Sequence, residues 1–182
     1  MDKTTQRGFT LPEMLVTFSV LGGLLAMALT SITDMVHDLR LAGVSNDVMQ
    51  QLFLARSEAI KRNRRVAVCK SPDGESCAEQ GGWEQGWILF EDTNNSGTRE
   101  AHEPILQRLN PLPPQYRLTA NNPLARYVSY HPLGGTVMAS GAFQAGTFTL
   151  CRLSAGPGEG RQIIINAGGR PRVQKVQLES CM

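Results

Sequence analysis

The sequence predicts an α+β protein in which one long N-terminal helix precedes an antiparallel β-rich head. Three observations predict this order. An apolar stretch follows a short polar start, an amphipathic pattern with helical spacing continues to about residue 63, and short β-type runs separated by Gly, Pro and Asn fill the remainder. With 182 residues the chain has room for one ordinary domain and an appendage. We therefore expect a helix that packs on a sheet.

The N-terminal stretch has the length of a membrane span. Residues 1–8 are polar and include two basic side chains, and the apolar stretch begins at Phe9. Between Glu13 and Asp34 lie 20 uncharged residues, about the number that a helix needs to cross a bilayer core. The basic start favours a cytoplasmic N-terminus, so the C-terminal part would lie outside the inner membrane.

Glu13 is the unusual residue of this stretch, because an unpaired charge inside an apolar helix is costly. A glutamate that snorkels to the lipid headgroups is one explanation. Residues 8–13, Gly-Phe-Thr-Leu-Pro-Glu, resemble the prepilin cleavage and methylation motif of type IV pilins and type II secretion pseudopilins. The resemblance implies that prepilin peptidase cuts between Gly8 and Phe9 and that the new amine on Phe9 is methylated. It also implies that Glu13 pairs with the amine of a neighbouring subunit, which supplies the missing partner.

The type IV pilin fold that this resemblance implies divides the chain into four predicted segments. They are a cleaved leader at 1–8, a transmembrane and filament-core helix at 9–33, the amphipathic second half of that helix at 34–63, and a periplasmic β-rich head at 64–182. The expected location is the bacterial inner membrane, with a cytoplasmic N-terminus, and the pilus filament after assembly.

The body of the chain resembles a narrower group. Residues 55–63 (ARSEAIKRN), a following strand that ends in Cys69, and Gly-Trp-Ile-Leu-Phe at 86–90 are similar to the FimT/GspH group, which contains minor pilins of type IV pili and the H pseudopilin of type II secretion. The implied partners are other pilins or pseudopilins, prepilin peptidase and the inner membrane. The resemblance does not separate the two roles.

The four cysteines contain no C-x-x-C pair, so a thioredoxin-like motif and a zinc ribbon are unsupported. Outside the cytoplasm they would form disulfides. Proximity in sequence favours Cys69–Cys77 and Cys151–Cys181, although four cysteines allow three connectivities. Four reduced, buried thiols are the alternative.

Charge is distributed unevenly along the chain, although the net charge is only +2. Residues 69–103 carry two basic and eight acidic side chains, whereas residues 104–182 carry eight basic ones against Glu159 and Glu179. The C-terminal part is therefore locally cationic, which indicates an anionic partner or a solvated surface.

Within this cationic part, Gly169-Arg170-Pro171-Arg172 resembles the G-R-x-R motif with which FimT-type minor pilins bind DNA during natural transformation. Proline favours extended geometry at the preceding residue, so Arg170 and Arg172 would lie on one face about 6.6 Å apart. Guanidinium groups can bind phosphate bidentately. We predict sequence-independent binding of double-stranded DNA, with Lys175 and Arg161 assisting. An ordinary hairpin turn with two solvated arginines is the alternative.

A second candidate site is the loop at residues 92–103. Asp92, Asn94, Ser96, Gly97 and Glu103 have the spacing of an EF-type calcium loop. The loop follows an apparent strand and precedes a proline, and Asn-Asn-Ser-Gly is typical of a plain turn. We favour the turn, and we predict neither a metal nor a cofactor.

The sequence does not predict an enzyme. His37, His102 and His131 are scattered, and none lies in a metal-ligand or nucleophile–base pattern. Trp83 and Trp87 are predicted to lie in the core rather than in a binding surface.

Overall fold

The computed structural model describes residues 8–181, without the side chains of residues 26–34. Within this range the chain forms the predicted α+β fold, with short 3-10 helices at Trp83–Gln85 and Asn122–Leu124. The long helix and the strands are α1 (Leu11–Arg62), β1 (Val66–Lys70), β2 (Trp87–Glu91), β3 (Ile105–Leu109), β4 (Tyr116–Ala120), β5 (Tyr127–Tyr130), β6 (Gly146–Arg152), β7 (Gly158–Ile165) and β8 (Pro171–Leu178). Of the leader predicted at 1–8, all but Gly8 lies outside the described residues.

The chain divides into two units between Arg40 and Leu41. In the first unit, large apolar side chains from Phe9 to Leu25 are exposed. Apolar surface of this extent is typical of a region that lipid or a protein partner covers. Where side chains are described, no helix is both long and apolar enough to cross a membrane. Residues 26–33 of the span predicted at 9–33 have side chains outside the described part.

The second unit contains two four-stranded sheets in which all neighbouring strands are antiparallel. The strand order is β3-β2-β1-β5 in the first sheet and β4-β6-β7-β8 in the second. The sequence predicted one sheet. The division is a non-local property, because β5 pairs with β1 rather than with β4 or β6, its neighbours in sequence.

The part of α1 that belongs to the second unit packs its apolar stripe against both sheets. Val48, Leu52, Ala55 and Ala59, which the helical spacing predicted to share one face, are all buried. They form one core with residues of the first sheet (Val66, Val68, Leu89, Val128, Tyr130) and of the second (Leu118, Phe148, Leu150, Ile163, Ile165). Each such aliphatic side chain contributes about 1.5–3 kcal/mol through burial. Trp83 and Trp87 also lie in this core, as predicted.

Both disulfides that proximity favoured are present, Cys69–Cys77 and Cys151–Cys181, with Cα–Cα distances of 5.5 and 6.0 Å. The first joins β1 to the loop that follows it. The second joins β6 to the segment after β8, where Cys181 also forms a β-bridge with Ser154. It therefore fixes the C-terminal end of the hairpin that carries the G-R-x-R motif.

Candidate nucleic-acid interface and assembly site

The G-R-P-R segment forms the end of the turn between β7 and β8. Within this turn, the Gly169 N–H donates to the Asn166 carbonyl at 2.8 Å, and the Arg170 N–H donates to the Asn166 side-chain oxygen at 3.3 Å. Gly169 has φ of +71°, in the left-handed region that glycine adopts without a Cβ penalty. Asn166 thus closes the turn, and the positive φ explains why the first residue of the motif is a glycine.

A neighbouring loop between β5 and β6 supports this turn. The Thr136 N–H donates to the Ala167 carbonyl at 3.2 Å, and its hydroxyl donates to the Asn166 carbonyl at 3.1 Å. A Cβ atom at Gly169 would overlap the Gly134 carbonyl oxygen. The turn therefore lies directly against a second piece of backbone, which restricts where the following arginines can point.

Arg170 and Arg172 flank a buried proline. Pro171 is the first residue of β8, is buried, and pairs with Ile165 across the sheet. Arg172 is the second residue of β8, so strand alternation turns it to the face that α1 does not cover, whereas Arg170 lies in the turn just before the strand. Both are exposed, and neither forms an ion pair with any carboxylate in the described part of the chain. Arg172 Nη1 lies 3.4 Å from Gln174 Oε1.

Arg161 and Lys175 lie on the other face of the same hairpin. They are paired across β7 and β8, and Arg161 faces Leu150 on β6. The Arg161 residue is only 4% exposed, while Lys175 is exposed but projects from the core side of the sheet. The prediction that they assist Arg170 and Arg172 therefore needs correction, because Lys175 is three positions from Arg172 and an odd separation reverses the face.

The loop at residues 92–103 is a self-contained turn in which acidic oxygens accept backbone N–H groups. Asp92 accepts from Ser96 and Gly97 at 2.9 and 3.0 Å, and Glu103 accepts from Thr93 and Glu100 at 2.7 and 2.9 Å.

Asn94 of this loop accepts from the Ser96 N–H. Burial raises the pKa of the Asp92 carboxyl; the N–H groups of Gly97 and Ser96 oppose this rise, and Glu103 adds to it. The described residues contain no group of three or more His, Cys, Asp or Glu able to hold a metal ion. The oxygens of Asp92 and Asn94 accept N–H groups of the loop itself, as side-chain oxygens do in a plain turn.

Glu13 lies in the first turn of α1 and folds back on the helix start. Its Oε2 accepts the Thr10 N–H at 2.9 Å and the Thr10 hydroxyl at 2.8 Å. This is half of a capping box, in which a glutamate at the third helical position satisfies the N–H of the capping residue. The sequence analysis missed it, although the pattern Thr-x-x-Glu before an apolar run was the signal that predicts it.

Comparisons with known proteins agree with this geometry. Residues 44–169 match the model of the family described as type II transport protein GspH. The chain belongs to the GspH family. Residues 3–29 of this GspH-family chain also match the prokaryotic N-terminal methylation motif. No curated protein matches it in sequence.

Solved structures show where the fold of this GspH-family chain recurs. Two crystal forms of the type IV minor pilin FimU from Pseudomonas aeruginosa align with TM-scores of 0.55 and 0.57 at 17% and 16% identity. They cover 78% and 81% of this chain, and 100% and 99% of the FimU chains. The minor pseudopilin EpsH from the type 2 secretion system of Vibrio cholerae aligns with a TM-score of 0.48 at 14% identity, over 74% of this chain and 95% of EpsH. The two FimU alignments show that the fold is the pilin fold.

Proposed function

We propose that this GspH-family chain is a minor subunit of a type IV pilus whose head binds double-stranded DNA through Arg170 and Arg172. One observation supports the DNA part above all others. Two exposed arginines without ion-pair partners among the described residues flank a buried proline, on a turn that hydrogen bonds hold in one conformation. A backbone held in this way limits the directions of the two side chains, which lowers the entropy cost of binding successive phosphates.

The assembly part of the proposal rests on the N-terminal segment. Cleavage between Gly8 and Phe9 would expose a new amine, and segment 9–33 would anchor the subunit in the inner membrane until assembly. The apolar side chains from Phe9 to Leu25 are exposed in the single chain, so neighbouring helices in a filament could cover them without loss relative to lipid. Glu13 would then pair with the amine of an adjacent subunit, which offsets the cost of burying its charge.

The DNA part is tested by an anisotropy titration of the full chain, in a neutral detergent, with a short duplex of mixed sequence at about 50 and 200 mM salt. The variant R170Q/R172Q should bind more weakly, and the slope of log K against log salt should fall by about 2, because each arginine neutralises about one phosphate.

A matched control is R108Q/R126Q, which removes the same charge from arginines that pair with Glu75 and Glu79 elsewhere in the head. Its slope should change little. If both variants lose affinity equally, the effect is one of net charge and the motif has no special role. If R170Q/R172Q binds like the wild type, the DNA proposal is wrong.

The second candidate function is the H pseudopilin of a type II secretion system, without DNA binding. The match of residues 44–169 to a family described by its type II transport role favours it. Deleting the gene separates the two functions. Loss of a secreted protein with intact pili would support the pseudopilin, whereas loss of pili or of DNA uptake would support the minor pilin.

A further inference from the structure

We propose that the outward face of the second sheet continues the DNA surface beyond the two arginines, as a row of uncharged polar side chains that hydrogen-bond to the sugar–phosphate backbone of the duplex. This inference rests on the proposed function and assigns the rest of its binding surface. The row consists of Thr119, Thr149, Gln162 and Gln174, one from each strand of the sheet.

The strand register places these four residues side by side. Thr119 is paired with Thr149, Thr149 with Gln162, and Gln162 with Gln174, so the row runs across β4, β6, β7 and β8. Its three strand-to-strand steps span about 14 Å. A duplex rises about 3.4 Å per nucleotide of one strand, so the row is long enough to follow about four nucleotides of one DNA strand.

This polar row is continuous with the arginines. Gln174 is two positions after Arg172 on β8 and therefore projects to the same face. The Arg172 guanidinium donates to Gln174 Oε1 at 3.4 Å, and Gln174 Nε2 donates to Gln162 Oε1 at 2.9 Å. Because Gln162 Oε1 accepts this hydrogen bond, the NH2 group of Gln162 remains as a donor. A phosphate oxygen can accept a hydrogen bond from it.

The charge of the face selects an anionic occupant. Outward positions of the four strands carry Arg117 and Arg172 and no Asp or Glu, whereas the acidic side chain of β7, Glu159, projects to the opposite side. Arg117 at the far border pairs with Glu84 at 2.6 Å and adds little net charge. The face thus offers hydrogen-bond donors and no carboxylate, beside two arginines that form no ion pair with the described residues. This combination complements a phosphate backbone rather than a protein surface of mixed charge.

The face is also available to a large ligand. The core residues of the same strands, including Leu118, Leu150 and Ile163, lie on the other side and contact α1. Thr119 and Gln174 are exposed, and Thr149 and Gln162 are half-buried between them, so the row is accessible and held in place.

Losing an uncharged hydrogen bond should lower the DNA affinity without changing its salt dependence, whereas losing a phosphate-neutralising charge should change both. The variant Q162M/Q174M keeps the side-chain length and removes the hydrogen bonds but no charge. In the same titration of the full chain, its affinity for the duplex should fall about tenfold at both salt concentrations, with an unchanged salt slope. The matched control Q107M/Q177M removes two strand glutamines that lie off this face, on β3 and on the core side of β8, and should bind like the wild type.

Three other outcomes of these titrations would overturn the inference, and they differ in whether the proposed function survives. If Q162M/Q174M binds like the wild type while R170Q/R172Q is weakened, the row makes no contact and this inference is overturned with the proposed function intact. If the wild type itself does not bind, both are overturned. If Q162M/Q174M retains its affinity but no longer enters filaments, the face is a subunit interface. The single variant Q174M, at an exposed position, repeats the test if the double variant misfolds.

Discussion

Replacing Gly169 by alanine tests whether the turn that carries the arginines is held as the structure indicates. Alanine at φ of +71° costs about 1–2 kcal/mol, because an L side chain there approaches its own backbone. The new Cβ would also overlap the Gly134 carbonyl oxygen and lie 3.0 Å from the Tyr130 ring. Overpacking of this kind costs about 1–3 kcal/mol. The free energy of unfolding should therefore fall by about 2–5 kcal/mol.

Alanine substitutions at two other glycines separate the cost of the positive φ at Gly169 from the cost of the overlap with Gly134. Gly141 has φ of +86° but open space at its Cβ position, so G141A should cost only about 1 kcal/mol. Gly156 has open space and no positive φ, so G156A should change stability by less than about 0.5 kcal/mol. The comparison of the three variants isolates the contact with Gly134.

Urea unfolding followed by tryptophan fluorescence is the appropriate assay, because Trp83 and Trp87 are both buried in the core. With a slope of about 2 kcal/mol per M, G169A should lower the urea midpoint by about 1–2.5 M. A midpoint equal to that of G141A would refute the reasoning, because it would mean that the turn does not rest on the Gly134 carbonyl.

Two further predictions concern carboxylates. Glu13→Ala should leave membrane insertion and processing intact but abolish incorporation into filaments, measured as the subunit in sheared filaments against that in membranes; normal incorporation would refute the pairing role. The Ser76 hydroxyl and N–H, with further donors, hold the pKa of Asp73 well below its ordinary value. Because the pKa of Asp73 is lower in the folded state, its carboxylate stabilises the fold at pH values above the unfolded-state pKa of about 4. This contribution is lost as the pH falls towards the folded-state pKa. Asp73→Asn should therefore flatten the acid side of a plot of urea midpoint against pH, and an unchanged plot would contradict this role.

The helix could be predicted from the sequence because its signals are local. The spacing of Val48, Leu52, Ala55 and Ala59 already defines the face that is buried, whatever the helix packs against. The capping box at Glu13 is equally local, since Thr-x-x-Glu before an apolar run is the pattern that predicts it.

The site could be predicted only in part, because register is not local. That Arg172 projects to the opposite face from Pro171 follows from strand alternation alone, but the placement of Arg161 depends on how β7 pairs with β8. That pairing is set by the length of the turn from Asn166 to Arg170. The polar row across the second sheet could likewise not be predicted from the sequence, since its members lie up to 55 positions apart, from Thr119 to Gln174, and meet only through three successive registers.

The presentation of the arginines depends on residues outside the four-residue motif. Arg172 lies directly opposite Ile164, whose half-buried aliphatic side chain can support the arginine stem while the guanidinium remains in water. Asn166 closes the turn, and Gly134 provides the surface on which it rests. A hairpin shifted by one residue would turn Arg172 towards the core and place Val173 outside. The same G-R-P-R sequence would then present no pair of arginines on the outward face. The register of the hairpin, rather than the motif alone, therefore determines whether a phosphate backbone can be bound.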